Sequence, residues 1–526
     1  MPKGGAPPAF APELNHASPS EAEARCSLRP SRRRLMTRPF RGRPWRRAVA
    51  CVVAVVLAAP ASGCAQGNGD PVNDPRFEQA VALFEAWLDA KMAYEKIPGV
   101  SAALVHDQDL VWARGYGYAH RETGVPATPS TMYSVCSISK LFTSIGVLQQ
   151  RDEGKLDLDD PVSTHLPWYD LEQVYPDGPN VSVEGILTHS SGLPRESAHP
   201  YWTGPDHPFP TADEIIEGLS EQETLYPGRR YFQYSNLGMA LAGQLIEQAS
   251  GMAYDEYIRS RILEPLGMSD TYPDIPVEHQ GGRYATGYSR LERDGQRAEA
   301  PFFQALGMAS AAGFASTVED LARLASWQFR LLENGGTEIL DANTLREMHR
   351  VHWVDPDFDT MWGLGFAVSR RDGERTVGHG GSCPGFRSTF QLLPAKKLAG
   401  AVMMNALANP TDVWTKMMAT LGAAFEEIQS DPGGGTPRPA SLAEYEGLYQ
   451  STWGESAILR WDDGLAVLGL PSNDPVEGMT KLRHEGGDTF RRMRDDGEPG
   501  EAYIFHREDG VIARYSVHGN FSNKVR

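Results

Sequence analysis

The sequence predicts a domain of mixed α and β structure followed by a small all-β domain, and three patterns predict this arrangement. Apolar residues recur every three or four positions after Pro75 and again after Ser235, as they do on the buried face of a helix. Short apolar runs bounded by Gly, Pro and Asp, such as residues 100–105, are typical of strands. With 526 residues and 41% apolar content, the chain can bury one large core and one smaller core.

The first predicted elements are a helix and a β-hairpin. Residues 100–105 and 110–118 are the predicted hairpin strands, because Asp107-Gln108-Asp109 between them has the composition of a turn. The helix begins near Pro75 and ends before Pro98-Gly99. Its apolar residues are Phe77, Val81, Phe84, Leu88 and Met92.

The most informative motif is Ser137-Ile138-Ser139-Lys140, at the start of the next predicted helix. Ser137 and Lys140 are three positions apart, so on a helix the lysine amine can reach the serine hydroxyl. A serine needs such a neighbour to become a nucleophile, and a helix N-terminus favours the negative charge that develops there. No other lysine in the sequence has a serine three positions before it. The motif therefore predicts a serine nucleophile activated by Lys140.

Two later motifs complete a candidate site. Tyr234-Ser235-Asn236 lies at the start of a predicted helix over residues 235–250, a position that projects side chains into a cleft. His379-Gly380-Gly381 lies among apolar runs that predict neighbouring strands of one sheet, and it is expected to lead into the middle pair of runs. Its glycines allow close approach of a ligand. The His-x-Gly pattern occurs twice more in the chain, so only its context selects His379. The runs around it are residues 363–368, 389–393 and 398–404.

Two segments of loop composition divide the chain. Residues 161–210 are rich in Pro and Gly and are too long for a simple connection, which predicts a substrate-lining region. Residues 431–440 have the composition of a linker and separate residues 71–430 from residues 441–526. The last segment alternates short apolar runs with Asp/Gly turns and predicts a small all-β sandwich or barrel. These runs are residues 457–461, 465–470, 489–493, 502–506 and 511–517.

Taken in order, these motifs resemble those of the serine β-lactamase-like superfamily, which holds class C β-lactamases, D,D-carboxypeptidases, D-aminopeptidases and family VIII esterases. The resemblance covers residues 75–425. It implies an α/β (α+β) fold in which a mainly antiparallel sheet is flanked by helices, with a helical subdomain beside it and the site between them. Further matching stretches are residues 153–162, Leu187-Thr188-His189-Ser190-Ser191-Gly192-Leu193-Pro194, Gly363-Leu364-Gly365-Phe366 and Pro384-Gly385-Phe386.

The resemblance also implies a role for each motif residue. Ser137 would be the acylated nucleophile, Lys140 its activator and Tyr234 a proton relay to the leaving group. The backbone amides of Ser137 and Ser382 would form the oxyanion hole, and water would hydrolyse the acyl-enzyme. The substrate-binding residues would be Asn236, His379, Gly380, Gly381 and Ser382.

His379 departs from the pattern of this superfamily. Penicillin-binding proteins and class C enzymes more often have a lysine at this position, which pairs with a substrate carboxylate, whereas histidine is mostly neutral at pH 7. The sequence therefore favours hydrolysis of esters or peptide-type amides. A D,D-peptidase or weak β-lactamase, with Arg387 as the candidate cation, stays open as an alternative. So does a non-catalytic sensor that captures its ligand covalently.

The N-terminal segment predicts export. Residues 1–63 carry 11 Lys/Arg and 3 Asp/Glu, so the remaining chain has a net charge of −26, which argues against nucleic-acid binding. Basic residues before the apolar run 48–59 are typical of a signal peptide. Ala61-Ser62-Gly63-Cys64 resembles a lipobox, in which Cys64 is lipidated. Cleavage near Ala65 without lipidation is the alternative.

These patterns set the remaining expectations. We expect an exported protein of the cell envelope, with a lipid anchor as one possible membrane attachment, and a fold that begins after residue 70. Met36 opens a signal of ordinary length and is a candidate start. The substrate is expected to be a small molecule or a peptide, and the oligomeric state stays open.

The other expectations concern metals, cysteines and the last domain. No His-Glu-x-x-His or Cys-x-x-Cys motif occurs, so neither a metal nor another cofactor is expected. Cys136 and Cys383 flank the catalytic motifs. We expect buried, inert thiols there, with a facing pair as the alternative. His189 is expected to bond loop backbone near the cleft. The last domain resembles the lipocalin-like domains that follow such catalytic domains, and we expect it to cover or shape the cleft.

Overall fold

The computed structural model describes residues 71–371 and 373–526, so the predicted export signal and Cys64 lie outside the described residues. The larger part of the described chain is built on an antiparallel sheet. Its strands and the short strand pairs near it are, in chain order, β1 (Gly99–His106), β2 (Asp109–His120), β3 (Val125–Pro126), β4 (Tyr133–Ser134), β5 (Ala315–Ser316), β6 (Thr337–Glu338), β7 (Leu340–Asp341), β8 (Trp353–Val354), β9 (Met361–Trp362), β10 (Ala367–Arg371), β11 (Glu374–Cys383), β12 (Phe386–Leu393) and β13 (Leu398–Met404). Within the described residues the main sheet has nine strands, in the order β3-β2-β1-β13-β12-β11-β10-β9-β8.

Helices cover this sheet and form a subdomain beside it. They are α1 (Pro75–Glu95), α2 (Ser139–Asp152), α3 (Val162–His165), α4 (Val183–Leu187), α5 (Ala212–Glu217), α6 (Asn236–Ser250), α7 (Tyr254–Ile258), α8 (Ala309–Ala312), α9 (Val318–Asn334), α10 (Ala342–Met348), α11 (Pro410–Met417) and α12 (Ala423–Ser430). Among the described helices, none is long and apolar enough to cross a membrane. The helix predicted after Pro75 is confirmed as α1. It begins there because the Asp74 side chain accepts a hydrogen bond from the backbone N–H of Arg76 and because Pro75 occupies the first helical position.

Strands β1 and β13 are buried on both faces, which explains why their sequences are continuous apolar runs rather than alternating ones. One face of β1, with Ala103 and Val105, belongs to the core that also holds α2, α6 and α9. The opposite face, with Leu104, belongs to a second core formed with α1, α11 and α12. The predicted α/β (α+β) architecture, an antiparallel sheet flanked by helices, is therefore confirmed.

The last segment forms a closed antiparallel barrel, which decides between the two predicted all-β architectures. Its strands are β14 (Gly447–Ser451), β15 (Gly454–Trp461), β16 (Gly464–Leu470), β17 (Met479–Gly486), β18 (Thr489–Met493), β19 (Pro499–Glu508), β20 (Val511–Val517) and β21 (Asn520–Lys524). Pairing of β14 with β21 closes the barrel and leaves no free sheet edge. Tyr449, Phe490, Phe505 and Tyr515 pack together in its core, so side chains fill the interior of the barrel.

The barrel packs on the α1 side of the sheet. Within the compact unit Gln66–Arg526, β15 and β16 contact α1, and barrel residue Leu468 belongs to the same core as α1. Trp87 of α1 donates a hydrogen bond to the Ser472 carbonyl at 2.9 Å, and Lys416 of α11 pairs with Asp474 at 2.6 Å. Helix α2, which follows the predicted nucleophile, belongs to the core on the other face of the sheet. This packing does not support the expectation that the barrel shapes the cleft.

Two local predictions near the site need correction. The strand predicted at residues 363–368 begins only at Ala367. Gly365 before it has a left-handed φ of +81°, and a Cβ there would lie 2.1 Å from Ser144 Oγ, so close packing against α2 replaces strand pairing. His379-Gly380-Gly381 lies inside β11 rather than leading into a strand. The motif is therefore held in a regular ladder with β12.

Candidate active site

Ser137 lies in a tight turn that leads directly into α2. The turn is a 3₁₀ helix over Cys136–Ile138, separated from β4 by Val135 alone, and α2 follows it directly, which confirms the predicted helix start. Cys136 has a left-handed φ of +52°, an unusual conformation for a residue with a side chain. The first amides of a helix have no partners within the helix, so the Ser137 N–H is available to a ligand.

Lys140 is buried beside Ser137 and contacts three oxygen atoms. Its Nζ atom lies 3.2 Å from Ser137 Oγ, 2.8 Å from Asn236 Oδ1 and 2.7 Å from the Ala311 carbonyl oxygen. Burial lowers the pKa of Lys140 well below its usual value of 10.5, while the charge of Glu196 raises it and that of Arg195 lowers it further.

The lowered pKa of Lys140 favours a neutral amine, the form that can remove a proton from Ser137. Such an amine has two N–H bonds and one lone pair. The N–H bonds can be donated to Asn236 Oδ1 and to the Ala311 carbonyl, which leaves the lone pair directed at the Ser137 hydroxyl. The arrangement therefore predicts that Lys140 accepts the Ser137 proton.

Tyr234 stands on the other side of Ser137. Burial raises the pKa of the Tyr234 hydroxyl, although a hydrogen bond with Ser137 lowers it in part, so the hydroxyl keeps its proton at neutral pH. Lys140 Nζ lies 4.8 Å from the centre of the Tyr234 ring. The ring also packs on His189, with centroids 4.2 Å apart. A protonated hydroxyl beside Ser137, the predicted nucleophile, can deliver a proton to a leaving group.

His189 has the structural role that the sequence predicts. Its Nδ1 atom accepts a hydrogen bond from the backbone N–H of Ser235 at 3.2 Å, which fixes the backbone just before α6. Burial and the nearby charges of Lys140, His379 and Arg195 lower the pKa of His189, so the ring is neutral. His189 therefore orients Tyr234 rather than exchanging protons.

His379 is buried at the edge of the cleft and is neutral. Burial, followed by the Lys140 charge, lowers the pKa of His379 to about 3. Its Nδ1 atom lies 2.5 Å from the carbonyl oxygen of Gly380 and must donate to it, which leaves Nε2 as a hydrogen-bond acceptor. Within the described residues Nε2 has no hydrogen-bond partner. Gly380 and Ser382, on the same strand, are exposed.

Asn236 joins Lys140 to an acidic residue that the sequence motifs do not reveal. Its Nδ2 atom donates to both carboxylate oxygens of Glu196, at 3.0 and 2.9 Å, while its Oδ1 atom accepts from Lys140. Tyr201 also donates to Glu196, and Arg195 pairs with it at 3.1 Å. Both charged residues follow the Leu193-Pro194 motif directly, but nothing in their spacing indicates this position. The predicted contact of Asn236 with substrate stays a prediction.

Cys136 and Cys383 form a disulfide, so the expectation of two inert thiols is wrong. Their Cα atoms lie 5.7 Å apart because the nucleophile turn and the end of β11 pack together. A signal for this pairing was present in the sequence. Cys136 precedes Ser137, and Cys383 follows Ser382. Because the amides of Ser137 and Ser382 are expected to form one oxyanion hole, the two cysteines next to them must also lie close together.

The structure thus brings together the five residues that the sequence motifs predict: Ser137, Lys140, Tyr234, Asn236 and His379. Arg387 lies on β12, directly opposite Ser382 in the ladder, and is exposed. Within the described residues, no group of three or more His, Cys, Asp or Glu side chains could hold a metal ion.

A serine and a buried lysine one helical turn apart, at the junction of an antiparallel sheet and a helical subdomain, define a serine hydrolase of the β-lactamase/transpeptidase type. The family model described as Beta-lactamase matches residues 84–420, more than half of the chain. The chain belongs to this family.

An individual relative agrees with membership in this family. Beta-lactamase-like protein 2 of Dictyostelium discoideum is 28% identical over 372 residues, which cover 69% of this chain and 66% of that protein. The match thus spans just under two thirds of the relative's length.

Two solved structures are similar in fold and in sequence. The octameric penicillin-binding protein homologue from Pyrococcus abyssi is 27% identical with a TM-score of 0.57, over 84% of this chain and all of that chain. The D-amino acid amidase from Ochrobactrum anthropi SV3, complexed with L-phenylalanine amide, is 25% identical with a TM-score of 0.56, over 66% of this chain and 99% of that chain.

Proposed function

We propose that this chain is an exported serine hydrolase that forms an acyl-enzyme at Ser137 and hydrolyses peptide-type amides or esters. The observation that carries the proposal is the position of the buried Lys140 Nζ atom, 3.2 Å from Ser137 Oγ and within hydrogen-bond distance of two acceptors, Asn236 Oδ1 and the Ala311 carbonyl. Burial lowers the pKa of Lys140, which favours the neutral amine that can accept the Ser137 proton. The disulfide supports export, because structural disulfides persist mainly outside the reducing cytosol. Lipidation of Cys64 would attach the protein to a membrane.

In this mechanism the proton of Ser137 passes to Lys140 as Ser137 Oγ attacks the substrate carbonyl carbon. The tetrahedral oxyanion accepts hydrogen bonds from the amides of Ser137 and Ser382. When the C–N or C–O bond breaks, Tyr234 delivers a proton to the departing amine or alcohol and regains one from Lys140. Water then attacks the ester carbonyl carbon of the acyl-enzyme and gives a proton to Lys140. The bond between this carbon and Ser137 Oγ breaks, the carboxylic acid leaves, and the proton on Lys140 returns to Ser137 Oγ.

The neutral state of His379 supports amides as the substrate class. A neutral ring whose free Nε2 atom accepts hydrogen bonds offers no positive charge to a carboxylate and favours a group that bears N–H or O–H. An amide substrate supplies such a donor. The similarity to a D-amino acid amidase points in the same direction.

A second candidate function is hydrolysis of a carboxylate-bearing peptide or β-lactam. The observation that favours it is Arg195, whose guanidinium stacks on the Tyr234 ring at 4.9 Å and remains more than half exposed. Arg195 is placed to attract an anionic group at the mouth of the cleft, although its pairing with Glu196 offsets part of its charge.

The test compares wild type with Ser137→Ala on p-nitrophenyl acetate, a D-amino acid amide, nitrocefin and a D-Ala-D-Ala peptide. We expect turnover of the ester and the amide, with an initial burst, and its loss in Ser137→Ala by a factor of about 10³ or more, because the nucleophile is gone. The circular dichroism spectrum and melting temperature should be unchanged, since a hydroxyl in a cleft adds little to packing.

Each outcome selects one function. Turnover of the peptide or of nitrocefin would favour the second candidate. Stoichiometric acylation without turnover on any substrate would indicate a covalent sensor. Full activity of Ser137→Ala would refute the mechanism.

A further inference from the structure

We propose that the Cys136–Cys383 disulfide is a positioning element of the oxyanion hole, so that acylation of Ser137 depends on the oxidised state of this pair. The proposal rests on the proposed function, in which the amides of Ser137 and Ser382 bind the oxyanion. Each cysteine is the immediate chain neighbour of one of these two residues. The bond therefore joins the two walls of the hole directly, across 247 positions of sequence.

The end of β11 has few other attachments to the nucleophile turn. Strand β10 pairs with β11 only as far as Gly378, so within the described residues the following five positions have ladder partners on β12 alone. Beyond Gly378, one edge of β11 is therefore without strand pairing in the described residues. One hydrogen bond, from Ser388 Oγ to the Val135 carbonyl at 2.9 Å, and the close approach of Gly381 to the same carbonyl join the two walls.

The backbone of Cys136 gives a second reason why the bond matters. Cys136 has a left-handed φ, which is strained for a non-glycine residue and persists only where its surroundings impose it. The peptide group that follows Cys136 carries the Ser137 N–H. If the bond is broken and Cys136 relaxes to an ordinary φ, this N–H turns away from the Ser382 N–H, and the hole loses one donor.

An added dithiol can reduce the Cys136–Cys383 disulfide. Dithiothreitol gives two electrons and two protons to the S–S bond, which yields two cysteine thiols, and is itself oxidised to its cyclic disulfide. Both cysteines are buried, so alkylation followed by peptide mass spectrometry must verify that this pair has been reduced. That measurement also separates the pair from the cysteines of the N-terminal segment.

The experiment uses the full chain in oxidised and reduced forms, together with Cys136→Ala/Cys383→Ala. The readouts are the acylation rate constant with p-nitrophenyl acetate, KM, and the Kd of phenylboronic acid, which forms a tetrahedral adduct with Ser137 without turnover. We expect acylation to slow about 10- to 100-fold, less than the ~10²–10³ seen when a hole donor is removed outright. Boronate binding should weaken in parallel, KM should change little, and reoxidation should restore the rate.

Leu331→Ala is the matched control for general destabilisation. Leu331 lies on α9, in the core but outside the site, so this variant should lower the melting temperature and leave acylation unchanged. The double alanine variant should be slow and insensitive to dithiothreitol.

Equal acylation rates and equal boronate affinity in the oxidised and reduced folded enzyme would overturn the proposal. Loss of the folded circular dichroism spectrum on reduction would also overturn it, because the bond would then serve global stability. Absence of Ser137-dependent turnover in the oxidised enzyme would refute the proposed function, while boronate binding would still test the disulfide.

Discussion

At the scale of single residues, the chemistry of this site depends on the protonation of Lys140. Burial lowers its pKa, and two neighbouring charges act on it in opposite directions: Glu196 raises the pKa and Arg195 lowers it. In the proposed mechanism, the neutral amine is the form that accepts the Ser137 proton. The acylation rate should therefore rise with pH through the pKa of Lys140.

This opposition gives a paired prediction. Glu196→Gln removes the charge that raises the Lys140 pKa but keeps a side chain that can bond Asn236, so the rising limb of the pH–rate profile should move to lower pH. Arg195→Gln removes the charge that lowers the pKa, so the limb should move to higher pH. Stopped-flow acylation between pH 5 and 10 measures both profiles. Displacement of both limbs in the same direction would contradict this assignment of Lys140.

The same residues show what a sequence can predict at this scale. Ser137 and Lys140 are found because local helix geometry brings them together over three positions. The sequence does not reveal Glu196, which contacts Asn236 across 40 positions, or the Ala311 carbonyl, which contacts Lys140 across 171 positions. A backbone carbonyl also has no side-chain signature. Such partners become visible only once the helical subdomain is folded.

At the scale of elements, the site depends on how closely β11 approaches the nucleophile turn. A Cβ on Gly381 would lie 2.0 Å from the Val135 carbonyl oxygen, whereas one on Gly380 would meet only the Ser388 carbonyl at 3.7 Å. Neither glycine has a positive φ, so the two positions differ in space and not in backbone strain. Adjacent residues thus provide a matched pair.

We predict that Gly381→Ala lowers the free energy of unfolding by about 1–3 kcal/mol, because the added methyl forces the strand away from the turn. Acylation should slow as well, since the Ser382 amide moves with the strand. Gly380→Ala should change stability by less than about 0.5 kcal/mol. Urea unfolding followed by circular dichroism compares the two variants. Equal stability losses would show that the approach of the two elements is looser than the structure indicates.

The sequence predicted strands well where burial of the strand determined its composition. Strands buried on both faces, such as β13, are apolar throughout and were predicted closely. The barrel strand β17 was missed because most of its side chains are exposed and its sequence is mainly polar. It is a strand because β16 and β18 pair with it, a non-local cause that composition does not report.

At the scale of the whole molecule, the two faces of the sheet pack against different parts of the chain. One face, with α1, α11 and α12, carries the barrel, and the other face carries α9 and the helical subdomain that completes the site. The buried histidines of the described residues include His189, His349 and His379. Burial lowers the pKa of each, to about 3 for His349 and His379, so all three are neutral in the folded protein at pH 7.

These histidines predict that stability falls as the solution becomes acidic. Above pH 6.5 they are neutral in both the folded and the unfolded chain and have no effect. Below that value the unfolded chain binds protons that the folded chain does not, so each histidine lowers the free energy of unfolding by about 1.4 kcal/mol per pH unit, until pH reaches its folded pKa. Urea unfolding at pH 7.5, 6 and 5 measures this slope. The variant His349→Gln separates the contribution of one histidine.

The glutamine of His349→Gln keeps a polar partner for Gln328 but cannot bind a proton, so the slope of unfolding free energy against pH should be smaller than in wild type by about 1.4 kcal/mol per pH unit. Parallel curves for wild type and variant would mean that His349 becomes protonated within the folded protein, which its burial beside Phe366 should prevent.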